Sequence, residues 1–203
     1  MKIFAIGRNY TDHAKEMKSE VPKEPVFFLK PESALIKNNK PFFYPGFSKE
    51  IHYELELVVR FNRLGKNIDK KFSHRYYDGV ALGIDLTARD LQRKAKEKGL
   101  PWEVSKAFDG SAPISDFIPV DQLADIQDLN IRLEKNGEVV QEVNTKDMIF
   151  PVDQLVEHVS RFITIKIGDL MFTGTPSGVG PVKIGDRLTA FLEDWKMLDF
   201  EIK

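Results

Sequence analysis

The chain contains no cysteine, which excludes disulfides, thiolate metal sites and a thiol nucleophile. Histidine is scarce, with 4 among 203 residues and no clear triad of them. An excess of charge of either sign is also lacking. The 30 Lys and Arg against 31 Asp and Glu leave a net charge of -1, without a block of like charge, so nothing points to nucleic acid or an anionic membrane. The longest apolar runs fall far short of the ~20 residues a membrane-spanning helix needs. The opening Met1–Ile6 has neither the long apolar stretch nor the cleavage site of a secretory signal and reads as a strand. These absences predict a cytoplasmic protein with no nucleic-acid or membrane partner. No internal repeat, low-complexity tract or linker divides the chain, and its length suits one domain, 1–203.

What is present centres on His52-Tyr53-Glu54-Leu55-Glu56-Leu57-Val58-Val59. As a strand it sends His52, Glu54, Glu56 and Val58 to one face and Tyr53, Leu55, Leu57 and Val59 to the other. Same-face neighbours are separated by roughly 6.6–6.8 Å at the backbone. Two carboxylates so placed either converge on a hard cation or form the acidic face of a half-exposed strand.

Around this octamer the order is as follows. Thr11 or Asp12 caps a short helix in the stretch Gly7–Met17, where His13 and Glu16 share a face. Glu16 there either orients His13 and raises its basicity, as suits a general base, or makes an incidental ion pair. Val26–Pro31, flanked by prolines, is an edge strand ending in Lys30. Val80–Ile84 is a buried strand with Asp85 at its end, and Thr87 is placed to cap the helix that runs to Lys98 and stops at Gly99. On that helix Arg89 and Gln92 are three apart and can face the same site as Asp85, or else Asp85 is a turn residue and Arg89 pairs with Asp90 or Glu97. Lys106 stands among small and aromatic residues that would bury it and lower its pKa, or is an ordinary surface lysine. Asn136-Gly137 joins two strands of a hairpin from Leu129 to Val143, to which no chemistry is assigned. Val152–Phe162 is an amphipathic helix burying Leu155, Val159 and Phe162, with His158 structural. Leu170–Pro181 is a strand breaking into a glycine-rich loop that could receive an anion, with the Thr175 hydroxyl in it. The last strands are Leu188–Glu193 and Met197–Ile202. Three carboxylates without thiolates favour Mg²⁺, Mn²⁺ or Ca²⁺ over Zn²⁺.

GRNYTDHAKE, FFLKP, HYELELVV, GIDLTARDLQ, SKAFDGSAPIS and FTGTPSGVGPV occur in that order over nearly the whole chain. Together they resemble the fumarylacetoacetate hydrolase family, in its single-domain acylpyruvase-like branch. The resemblance implies an α+β, predominantly β fold, a mixed β-roll or barrel-like arrangement with a few flanking helices, and a homodimer holding Mg²⁺ or Mn²⁺. It makes Glu54, Glu56 and Asp85 metal ligands, and His13 and Glu16 a catalytic dyad on a lid. Lys106 joins them in handling charge and protons. Arg89, Gln92, Thr175 and Lys30 become groups that hold substrate. The N-terminal domain of the mammalian enzyme, and a metal ligand found further upstream there, have no counterpart in this sequence, and the last strands depart from the glycine-rich ending of many relatives. The implied activity is hydrolysis of acylpyruvate-type 2,4-dioxo acids to pyruvate and a carboxylic acid. The nearest alternatives are oxaloacetate decarboxylation or keto–enol tautomerisation, and the non-enzymatic alternative is a protein that binds a metal or 2-oxo acid.

Overall fold

The computed structural model describes residues 1–16 and 20–203. Met17, in the stretch expected to hold the first helix, lies outside the described residues. Strands dominate and fall into four sheets, none of which closes into a barrel among the described residues, so the fold is α+β without the barrel. The largest sheet has the order Val26–Lys30, Ile3–Gly7, Leu170–Phe172, Leu55–Phe61, Tyr77–Ile84, Ile118–Pro119. Within this sheet, among the described residues, only the pair Ile3–Gly7 and Leu170–Phe172 is parallel. Val26–Lys30 is its edge strand, as its flanking prolines predict.

Both faces of this sheet are covered. Leu55, Leu57, Val59, Leu82 and Ile84 belong to the large apolar cluster. Ile3, Ala5, Val58, Ala81, Leu170 and Phe172 pack in a smaller one. Burying each larger side chain contributes about 1.5–3 kcal/mol. The smaller cluster shares its face with the carboxylates.

Strand register brings those carboxylates together. Leu55 pairs with Ile84 and Glu56 with Gly83. One step further, the Asp85 N–H donates to the Glu54 carbonyl at 2.8 Å, so Asp85 lies directly across from Glu54. Directly opposed residues have Cβ atoms about 4.5–5.5 Å apart, and like charges there repel. Glu54, Glu56 and Asp85 consequently share one side of the sheet, next to one another.

The octamer is not one strand. It breaks at Glu54 into Ile51–Tyr53 and Leu55–Phe61. The first piece joins Gly180–Pro181 and Thr87–Ala88 in a three-stranded sheet, the second the large one. Alternation of residue type is the same whether or not a ladder changes partner, so the break has no signature in the octamer. Thr87 is likewise a strand residue and not a cap. The helix Arg89–Lys98 begins after Ala88 with no side-chain cap, and ends, as expected, at a left-handed Gly99.

The hairpin Asn130–Lys135 and Glu138–Asn144 turns through Asn136 and Gly137, whose φ angles of 56° and 84° are those a two-residue turn requires. It forms a four-stranded sheet with Arg187–Leu192 and Trp195–Glu201. The helix Val152–Phe162 buries Leu155 and Val159, but Phe162 is 62% exposed at its last turn. His158 stacks edge-on against Phe27 and has a structural place. No helix among the described residues is long and apolar enough to cross a membrane.

Candidate active site

At the acidic face, one ligand atom from each of Glu54, Glu56 and Asp85 lies within 4.8 Å of the others, and all three residues are buried. Three buried cations answer them. Lys106 donates to Glu54 Oε2 and to Asp85 Oδ2, both at 2.7 Å, and to the Thr87 hydroxyl at 2.6 Å. Arg89 donates to Glu54 Oε1 at 2.6 Å and to Gln92 Oε1 at 2.7 Å. Lys30 Nζ lies 2.7 Å from Asp85 Oδ1 and also donates to the Ser111 hydroxyl and the Lys106 carbonyl. The alternatives for Arg89 and Lys106 therefore fail, and Lys30 is an inner residue of the site.

Electrostatics follow from this crowding. Burial alone would raise the Glu54 pKa, but Lys106 and Arg89 outweigh it and hold the carboxyl well below its ordinary value. Among the described residues Glu56 forms no ion pair, and it receives the Gly174 N–H at 2.6 Å. Burial, Asp85 and Glu54 push its pKa well up. Lys106 corrects the expectation of a lowered pKa. Burial does act downward, yet the Asp85 and Glu54 carboxylates prevail and raise it. Lys30 is lowered, burial exceeding the pull of Asp85.

His13 is buried on the helix Thr11–Glu16, and its Nδ1 lies 3.2 Å from Glu16 Oε2. Glu16 raises the basicity of the ring, as does Glu54, but desolvation is larger and the net pKa lies below the ordinary value. The glycine-rich loop gives its amides to the protein's own carboxylates: Gly174 N–H to Glu56, and Gly178 N–H to Glu16 at 3.2 Å. Thr175 is buried and lines the same pocket as His13, Glu54, Asp85, Arg89, Gln92 and Lys106. All ten residues singled out from the sequence thus meet in one region.

Several participants were not anticipated. Gln141, from the hairpin given no chemistry, accepts from Leu55 N–H at 2.9 Å and donates to the Thr175 hydroxyl at 3.0 Å. It replaces the ladder bond that the break at Glu54 removes. Asn9 bridges the Phe150 and Thr173 carbonyls and accepts from Phe150 N–H, which fixes the start of the glycine-rich loop. Gly174, at φ 100°, tolerates no side chain there, since a Cβ would lie 2.7 Å from that of Asn9. Arg8, Lys96 and Trp102 also line the pocket. Of these Lys96 had a signal, because Arg89, Gln92 and Lys96 follow a helical stripe.

The donor set suits a divalent ion. Hard carboxylate oxygens at this spacing, one of them with a strongly raised pKa, form a cradle in which a cation relieves like-charge repulsion. Residues 2–203 match the profile of the Fumarylacetoacetate (FAA) hydrolase C-terminal family. The chain belongs to that family of enzymes. It is 42% identical over 201 residues to the mitochondrial oxaloacetate tautomerase of Mus musculus, covering 99% of this chain and 91% of the relative. It is 46% identical over 185 residues to the mitochondrial oxaloacetate decarboxylase of Dictyostelium discoideum, covering 91% and 85%. The fumarylpyruvate hydrolase of Pseudomonas aeruginosa, solved with Mn²⁺ and pyruvate, superposes with a TM-score of 0.95 at 36% identity, covering 100% and 89%.

Proposed function

We propose that the chain is a divalent-metal-dependent enzyme that forms and discharges the enolate of a small 2-oxo acid, with oxaloacetate as the substrate. The observation that carries this reading is the buried trio Glu54, Glu56 and Asp85 ringed by Lys106, Arg89 and Gln92, with His13 in the same pocket. The tautomerase and decarboxylase relatives support the choice of oxaloacetate.

Glu54, Glu56 and Asp85 would hold a divalent ion such as Mg²⁺ or Mn²⁺, which would supply positive charge to stabilise an enolate. The chain's own residues do the rest. Arg89, anchored on Glu54, keeps N–H groups for negative charge as it develops. Lys106, its three N–H groups held by Glu54, Asp85 and Thr87, adds its positive charge nearby. Thr175, held by Gln141, and Gln92 orient the carboxylate beside the substrate's 2-oxo group. His13, with its proton affinity reduced by burial, takes a proton from C3, and Glu16 fixes its ring. Return of that proton to carbon or oxygen interconverts keto and enol forms. Alternatively the C3–C4 bond breaks, its electron pair enters the enolate, and CO₂ departs.

A second reading is hydrolysis of an acylpyruvate, favoured by the His13–Glu16 dyad and the fumarylpyruvate hydrolase neighbour. There His13 deprotonates water, which adds to the distal carbonyl. Carbon–carbon cleavage then gives a carboxylic acid and the pyruvate enolate, which takes up a proton. Purified protein with Mg²⁺, offered oxaloacetate, acetylpyruvate and fumarylpyruvate beside a His13→Ala variant, separates the readings. Accelerated enol–keto conversion or CO₂ release from oxaloacetate supports the first, and pyruvate release from the other two supports the second. No turnover of any compound overturns both.

A further inference from the structure

At the buried centre of the pocket the three cations Lys30, Arg89 and Lys106 are already engaged, each paired with Glu54 or Asp85. Two further cations line the same pocket, and neither Arg8 nor Lys96 forms an ion pair among the described residues. Each is held in place all the same. Arg8 directly follows the strand Ile3–Gly7 and has φ 61°, a left-handed conformation that costs free energy in a residue other than glycine. The doubly tied Asn9 beside it keeps it there. Lys96 continues the stripe of Arg89 and Gln92, and its ammonium lies 6.0 Å from the centre of the Trp102 ring. Desolvation lowers its pKa first, and repulsion from Arg89 and Arg8 lowers it further, so the two unpaired cations sense each other across the pocket.

A 2-oxo monocarboxylate held by the central groups offers these two side chains nothing. A dicarboxylate offers a second anion. We propose that Arg8 and Lys96 form a subsite for the distal carboxylate of a dicarboxylic 2-oxo acid, and so select such dianions over 2-oxo acids with an uncharged tail. The inference rests on the 2-oxo acid reading above and deepens it. It also bears on the fate of the enolate. Loss of CO₂ requires the distal carboxylate to give up its charge, and two cations around it oppose that. The subsite therefore favours keto–enol conversion over decarboxylation.

Malate and lactate test this without turnover, because they differ only by the distal carboxylate and neither has a 2-oxo group to enolise. Calorimetric titration of the Mg²⁺-loaded protein should show malate binding at least about tenfold more tightly, a margin of ~1.4 kcal/mol. Lys96→Met should bring the ratio toward one with lactate affinity unchanged, and Lys96→Arg should restore it. Arg8→Asn, whose residue also accepts a left-handed backbone, should act like Lys96→Met. A wild-type protein that binds the two acids equally, or variants that keep the ratio, would overturn the subsite. Discrimination through Arg8 and Lys96 in a protein inert toward oxaloacetate would uphold the subsite and refute the activity. In an active protein, Lys96→Met should also raise KM for oxaloacetate more than it lowers kcat, and increase CO₂ released per enol–keto conversion.

Discussion

His13 shows how a single environment reverses a simple expectation. Glu16 three residues on was expected to make the ring more basic, and it does push that way, but the surrounding desolvation is stronger. The free imidazole therefore persists to lower pH than the ordinary value of 6.5 allows. If neutral His13 is the base, kcat/KM for oxaloacetate should stay flat from pH 7 down past 6.5 and fall only below it. A pH–rate profile gives this directly, and His13→Ala should remove the acidic limb along with most of the activity, typically 10²–10⁴-fold. A limb centred above 6.5 would mean that another group titrates. Glu56 is the converse case: burial and two neighbouring carboxylates favour its proton, a role that a cation at the trio would take over.

Among the elements, the paired strands Leu55–Phe61 and Tyr77–Ile84 set the spacing of the three carboxylates. Gly83, opposite Glu56, is the sensitive point of the pair. A Cβ there would lie 2.4 Å from Phe172 Cε1 and 2.9 Å from Val58 Cγ2. Gly83→Ala should cost about 1–3 kcal/mol by overpacking, seen as a lower urea midpoint with an unchanged slope. The sequence made much of this level legible. Alternation located the acidic residues, the Asn-Gly pair the hairpin, and Gly99 the end of its helix. What stayed hidden depends on contacts between distant segments. Nothing near Glu54 announces that the ladder changes partners there. Gln141 reads as one more polar residue of an alternating hairpin strand, and Thr87, before a helix, looks like the cap it is not.

At the scale of the whole molecule, the site draws on the first strand and helix, the central sheet, the helix Arg89–Lys98, the hairpin and the glycine-rich loop. An ion held at the acidic trio therefore ties to the folded state residues far apart in the chain, and unfolding must release it. Mg²⁺ at 100 times its dissociation constant should stabilise the protein by about 2.7 kcal/mol. For a chain of this length that is a rise in Tm of roughly 5–10 °C, reversed by EDTA. An unchanged Tm at such concentrations would argue against a metal at Glu54, Glu56 and Asp85. The three buried cations also explain how so acidic a centre can fold, since each carboxylate of the opposed Glu54–Asp85 pair has a counter-charge.

The side-chain amide of Gln141 has a practical use beyond its place in the site. Leu55 N–H is bonded to a side chain on another sheet and not to a neighbouring strand, so its protection from solvent deuterium depends on the hairpin staying docked. The adjoining amides of Glu56 and Val58 face the continuous ladder with Tyr77–Ile84 and exchange only when that ladder opens. The difference between Leu55 and its neighbours is thus a clock for one motion, the lifting of the hairpin from Thr175, and it can be read at a single backbone position while substrate enters and product leaves.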